Sequence, residues 1–131
     1  MMLTETRERF LLAIAAKLPA ERIAEIHFFQ PIKQAGVESG VAVVAVWPEP
    51  EAEAAAEPRP TIYTARYRLT LKGPDRGKWE THLVAEADAP LVTVDAVVRG
   101  VQRRAGDADD PARMEGDDVR SFLAARSLTA S

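Results

Sequence analysis

Hydrophobic and polar residues alternate over residues 61–72, which is the pattern of a β-strand with one buried face. The next five residues contain proline, aspartate and two glycines, and this composition predicts a turn. A second strand follows over residues 78–87, so we predict a β-hairpin. A loop symmetric about Asp75 would place Tyr67 opposite Leu83 on the buried face.

Two further strands are predicted before the hairpin. Residues 23–34 are predicted to form a strand that has apolar side chains on both of its faces. Pro31 lies within this strand and predicts an edge strand or a bulge, because proline has no backbone N–H. Residues 41–47 are apolar at every position, which is typical of a strand that is covered on both faces.

Apolar residues at helical spacing predict three helices. The first covers residues 4–18, with Thr4 as its N-cap and Pro19 as its stop signal. The second begins after Thr93 and carries a stripe of valines, and the third covers residues 118–128.

The order helix, four strands, helix, helix predicts an α+β fold. Strands joined by turns and one loop favour a four-stranded antiparallel meander, and helices on its apolar face would give a two-layer sandwich. The alternative is a half-open sheet wrapped around the first helix, a shape that can hold a small-molecule cavity. We assign residues 1–106 to one domain with a flexible acidic loop at 48–60, and residues 107–131 to an acidic tail with a short amphipathic helix.

Composition excludes several classes of protein. The net charge of -3 is unevenly distributed, because acidic residues are concentrated in the loop and the tail. The rest of the chain is therefore mildly basic, but it is far less cationic than a strong nucleic-acid binder. The absence of cysteine excludes disulfides, thiolate nucleophiles and zinc sites with cysteine ligands. Because we see neither a membrane-spanning apolar run nor a secretory signal, we expect a cytoplasmic protein.

Catalytic and metal-binding motifs do not emerge from the sequence. His27 and His82 are the only histidines and do not form an H-E-x-x-H pair. The acidic run from Asp107 fails the EF-hand spacing because Pro111 falls on a ligand position. With neither a G-x-S-x-G nor a phosphate-binding loop, we expect no enzymatic activity, no metal and no cofactor.

The strand that is apolar on both faces and the amphipathic tail helix both require a covering surface. We therefore expect a non-enzymatic protein–protein interaction module, either a homodimer or a protein that binds another protein, with no membrane partner. The alternative, in which the tail folds back and covers the strand within one chain, stays open. The residues expected in the contact surface are Phe29, Val44, Val46, Phe122 and Leu123.

Two other functions compete with protein contact. A small molecule could bind between sheet and helices, in a pocket lined by Phe28, Tyr63, Tyr67 and Trp79. Nucleic acid could bind a basic strand face formed by Arg66, Arg68 and Lys72. We rank nucleic acid last because the hairpin aromatics belong to the opposite face, which leaves the bases without a stacking surface.

Overall fold

The computed structural model describes residues 4–48, 60–85, 93–105 and 111–129, and it shows an α+β fold. The predicted acidic loop lies outside the described residues apart from its two ends. The elements in chain order are α1 (Glu5–Lys17), a 3₁₀ turn (Ala20–Arg22), β1 (Ile23–Phe28), β2 (Ile32–Gln34), β3 (Val37–Val46), β4 (Thr61–Thr70), β5 (Trp79–Ala85), α2 (Val94–Ala105), β6 (Ala112–Glu115) and α3 (Gly116–Thr129).

The strands form one antiparallel sheet of six strands in the order β5-β4-β3-β1-β6, with β2 paired to β3 beyond the end of β1. The four-stranded meander predicted from the sequence is therefore extended. One extra strand arises because the predicted strand over residues 23–34 is divided at Pro31. The pairing shifts by one residue there, from Phe28 opposite Ala42 to Ile32 opposite Ser39, as expected where proline interrupts a ladder.

The other extra strand, β6, was not predicted. It has only four residues, of which Ala112 and Met114 point into the core, and this is too short a run for a periodic pattern. Met114 pairs with Ile26 of β1, so β6 forms the outer edge of the sheet.

The predicted hairpin exists, but its predicted register is wrong by two residues. Tyr67 lies opposite Thr81, not Leu83. The strands part earlier than expected because Gly77, with a φ of +91°, donates its N–H to the Thr70 carbonyl at 2.7 Å. Leu71 instead donates to the Gly36 carbonyl at 2.8 Å, which extends the contact with β3. Each side chain keeps its predicted face, because the shift is an even number of residues.

Helices cover both faces of the sheet, whereas the two-layer prediction placed them on one. On one face, α1 and α3 enclose the α1/α3 core, a cluster that is centred on Phe10, Ile26 and Val44. On the other face, α2 encloses the smaller α2 core, formed by Phe29, Val43, Ile62, Val98 and Val101.

The helix starts follow the capping chemistry of the sequence. Thr4 Oγ1 accepts a hydrogen bond from the Arg7 N–H at 3.2 Å, and Thr93 Oγ1 accepts one from the Ala96 N–H at 3.1 Å. The third helix begins at Gly116, two residues before the predicted start.

The C-terminal segment that the sequence analysis separated as a tail belongs to the same core. Val119 of α3 is fully buried in the α1/α3 core. Gly116 allows this close packing, because a Cβ at that position would lie 2.2 Å from the carbonyl oxygen of Ile23.

Candidate functional site

A groove of about 890 Å³ opens on the α2 side of the sheet, next to the C-terminal end of α2. The residues that line it come from β3, β4 and β5, from α2, and from the segment that joins β1 to β2. The residues that line the groove are Phe29, Gln30, Pro31, Ile32, Ser39, Gly40, Val41, Arg66, Tyr67, Arg68, Glu80, His82, Val101 and Arg104.

The sheet register arranges the floor in two rows of side chains across three strands. Alternation along each strand brings every second residue to this face. The two rows are Val41–Arg66–His82 and Ser39–Arg68–Glu80. In the next row towards α2, Val43 and Thr64 are buried, so the face changes from apolar under the helix to charged beside it.

Three guanidinium groups face this groove. Arg66 and Arg68 come from β4 and Arg104 from α2, and all three residues are exposed. In the described part of the chain, no carboxylate lies within salt-bridge distance of these three residues. The carboxylate in the groove, that of Glu80, lies 3.4 Å from Lys78 Nζ.

The chemistry of the groove suits an anion with an apolar part. A guanidinium group binds carboxylate or phosphate oxygens through two parallel hydrogen bonds, which gives both affinity and orientation. Apolar side chains of Phe29, Ile32, Val41 and Val101 form part of the walls. Most well-formed ligand sites combine such an apolar lining with a few polar groups.

The basic strand face predicted from the sequence is only partly in the groove. Arg66 and Arg68 line it, but Lys72 does not, because β4 ends at Thr70 and the Lys72 side chain lies beside Gly36. Arg104 was not predicted as a site residue, because nothing in the sequence shows which face of the sheet α2 covers.

The aromatic residues of the predicted small-molecule pocket lie in the α1/α3 core. The rings of Tyr67 and Trp79 are stacked, with centroids 4.7 Å apart. Phe10 packs edge-on against Tyr67, at 4.8 Å between centroids. Phe28 is fully buried and Tyr63 packs against the same cluster. Of the four residues of the predicted pocket, Tyr67 also lines the groove.

Tyr67 also compensates a buried carboxylate. Its hydroxyl donates a hydrogen bond of 2.8 Å to Oε2 of Glu38, and Lys33 Nζ lies 3.7 Å from Oε1. Burial, together with the hydrogen bond and the charge of Glu38, raises the pKa of the Tyr67 hydroxyl well above its usual 10.0. The hydroxyl therefore stays protonated and acts as a structural donor.

The predicted contact surface does not form one surface. Phe29 belongs to the α2 core, whereas Val44 and Val46 belong to the α1/α3 core, because alternate residues of β3 point to opposite faces. Phe122 and Leu123 of α3 pack against this second group within the chain. The grouping of Phe29 with Val44 and Val46 on one face is thus wrong.

A second charged cluster joins β6 to β1. Oε2 of Glu25 lies 2.8 Å from both His27 Nε2 and Arg113 Nε, and Arg113 also contacts Glu115 at 3.0 Å. Burial raises the pKa of the Glu25 carboxyl, but the hydrogen bonds from His27 and Arg113 outweigh this and leave its pKa below the usual 4.5. The described residues contain no group of three or more side chains placed to hold a metal ion.

Comparison of this chain with protein-family models, curated protein sequences and solved structures finds no match. Among the described residues, no helix has both the length and the apolar composition needed to cross a membrane. The groove is therefore the feature from which we infer a function.

Proposed function

We propose that this protein is a non-enzymatic, cytoplasmic binding module that holds an anionic partner in the groove between α2 and β4, without metal or cofactor. The observation that carries the proposal is the convergence of Arg66, Arg68 and Arg104 on one groove, from a strand and a helix. Most arginines lie at the protein surface, where their side chains are exposed to water. Arg66, Arg68 and Arg104 share one concave site whose lining contains one carboxylate, that of Glu80, so the site carries a net positive charge in an otherwise acidic protein.

Contacts between the guanidinium groups and an anion are charge-assisted hydrogen bonds. Charge-assisted hydrogen bonds contribute about 1.5–3 kcal/mol each. Screening by salt acts over about 10 Å at 0.1 M ionic strength, so contacts to exposed arginines weaken as salt rises. Binding is therefore expected to be specific to the groove and salt-dependent.

The test measures binding of poly-L-glutamate, heparin and oligothymidylate by calorimetry over a salt series. The double variant Arg66→Gln/Arg68→Gln is expected to lower affinity about tenfold or more, which corresponds to about 1.4 kcal/mol. The control double variant Arg76→Gln/Arg103→Gln makes the same charge change at exposed positions outside the groove lining. Equal losses in both variants, or no binding by the wild-type protein, would contradict the proposal.

A second candidate function, self-association of two copies, is favoured by the edge strand β5. The hydrogen bond from the Thr70 N–H to the Lys78 carbonyl, at 3.0 Å, sets the alternation of the β4–β5 ladder. Trp79, Thr81 and Leu83 therefore direct their N–H and C=O groups away from β4. In the described chain, no other strand pairs with this edge.

The side chains of β5 suit antiparallel pairing with a second copy. A two-fold axis at Thr81 would place Glu80 opposite His82 on one face and Trp79 opposite Leu83 on the other. Both are favourable cross-strand pairs, one polar and one apolar. The arrangement is self-complementary, as a two-fold interface requires.

Lys17 hinders pairing at this edge, because its Nζ donates a hydrogen bond of 3.1 Å to the Thr81 carbonyl and so occupies a backbone acceptor of the edge. We expect Lys17→Met to increase self-association in light scattering over a concentration series. Thr81→Pro should abolish association by removing an outward N–H, whereas Thr81→Val, which keeps that N–H, should not. Monomers at every concentration for both wild type and Lys17→Met would exclude this candidate.

A further inference from the structure

We propose that the partner of the groove is an extended acidic peptide with two carboxylates two residues apart, followed in the same alternation by an apolar residue. This inference rests on the proposed anion binding. Arg66 and Arg68 are alternate residues of one strand, so their Cα atoms lie about 6.6 Å apart. Alternate residues of an extended peptide have the same spacing, so two acidic side chains can each meet one guanidinium group.

The apolar position follows from the end of the groove. Beyond Arg66 along β4, the next residue on this face is Thr64, which is buried beside the α2 core. Val41 of β3 lies beside Arg66 on the floor and Val101 of α2 also lines the groove, so a third side chain of the peptide at this end has apolar neighbours. Arg104, on the same helix as Val101, also lines the groove. The geometry fits the order acidic, any, acidic, any, apolar, in either chain direction.

Peptide suits the groove better than nucleic acid. Single-stranded nucleic acid needs exposed aromatic rings on which bases stack. The two aromatic residues with phenyl rings that line the groove, Phe29 and Tyr67, are only 6% and 4% exposed, and Tyr67 and Trp79 belong to the opposite core. Glu80 on the floor would repel a continuous phosphate backbone, whereas a peptide with spaced carboxylates can avoid it.

The experiment uses the full chain and synthetic peptides measured by calorimetry at low salt. The alternating peptide Glu-Ser-Glu-Ser-Leu, its reversed sequence, and the composition-matched Glu-Glu-Ser-Ser-Leu carry identical Gly-Ser flanks. At least one alternating peptide is expected to bind about tenfold more tightly than the matched control. Replacing its leucine by serine should weaken binding several-fold, and Arg66→Gln or Arg68→Gln should remove the preference for alternation. The variant Arg103→Gln should keep it.

The outcomes separate this inference from the proposed function. Equal affinity for the alternating and matched peptides would overturn the inference, because only charge number would matter. Tighter, Arg66-dependent binding of an oligothymidylate of equal charge would also overturn it, while leaving anion binding in the groove intact. If poly-L-glutamate, heparin, oligothymidylate and all the peptides fail to bind, the proposed function itself is wrong.

Discussion

The missing side chain at Gly40 makes room for the ring of Tyr67 in the α1/α3 core. The two residues are directly opposite each other on β3 and β4, and a Cβ at Gly40 would lie 2.1 Å from Cε1 of Tyr67. Gly40→Ala would displace this ring from its stack with Trp79. We expect a loss of about 1–3 kcal/mol in the free energy of unfolding, measured with urea.

Gly100 provides the matched control for this substitution. It lies within α2, and a Cβ there would have no neighbour within 4 Å. Gly100→Ala is expected to stabilise the protein by about 0.5–1 kcal/mol through helix propensity. An equal effect of both substitutions would show that Tyr67 does not depend on Gly40.

The carboxyl of Glu25 makes the stability of the folded protein depend on pH. Because its pKa in the folded protein is below the usual 4.5, the folded state favours the charged form. The stabilisation is complete well above pH 4.5 and is lost as pH falls from there through the lowered pKa. We expect Glu25→Gln to destabilise the protein at neutral pH, and the difference from wild type to shrink as the pH is lowered.

Urea unfolding from pH 7 to pH 3 measures this difference. The exposed Glu21 gives a control, and Glu21→Gln should run parallel to the wild type across the range. A constant gap between Glu25→Gln and wild type at all pH values would contradict the account of this cluster.

At the scale of elements, β6 and α3 contribute side chains to the α1/α3 core, so we expect them to unfold together with the rest of the sheet. Met114 is 4% exposed and sits between β1 and the helices in the α1/α3 core. Met114→Ala is expected to destabilise the whole protein by about 2–5 kcal/mol, in a single transition. Val84→Ala, at a residue that is 57% exposed, should change stability by less than about 0.5 kcal/mol. A separate early transition in Met114→Ala would instead indicate an independent tail.

The long elements were predictable because their signals are local. The caps at Thr4 and Thr93 and the turn before Gly77 each act within a few residues, and each appears in the structure. The hairpin register was not predictable from the sequence, because it depends on the contact between Leu71 and Gly36, which belong to different hairpins. The face covered by α2 was not predictable for the same reason: it depends on packing across the whole sheet.

At the scale of the whole molecule, the candidate site is shared between distant segments. Alternation in β4 was enough to put Arg66 and Arg68 on one face. Arg104 and the wall around Phe29 join them only through the placement of α2 and the break between β1 and β2. The apolar strand β3, which suggested an external partner, is covered within the chain by helices on both sides. Among the described residues, the charged groove and the free edge of β5 are the two surfaces that we propose for a partner.

The measurement that tests the groove most directly is a nuclear magnetic resonance titration of the full chain with poly-L-glutamate, which follows the arginine Nε–Hε signals. We predict saturable shifts of the Nε–Hε signals of Arg66, Arg68 and Arg104. Arg7 and Arg9, which lie over the rings of Phe28 and Trp79 on the other side of the sheet, should not shift. Shifts of equal size at all five arginines, or no shift in the groove at saturating ligand, would contradict this prediction.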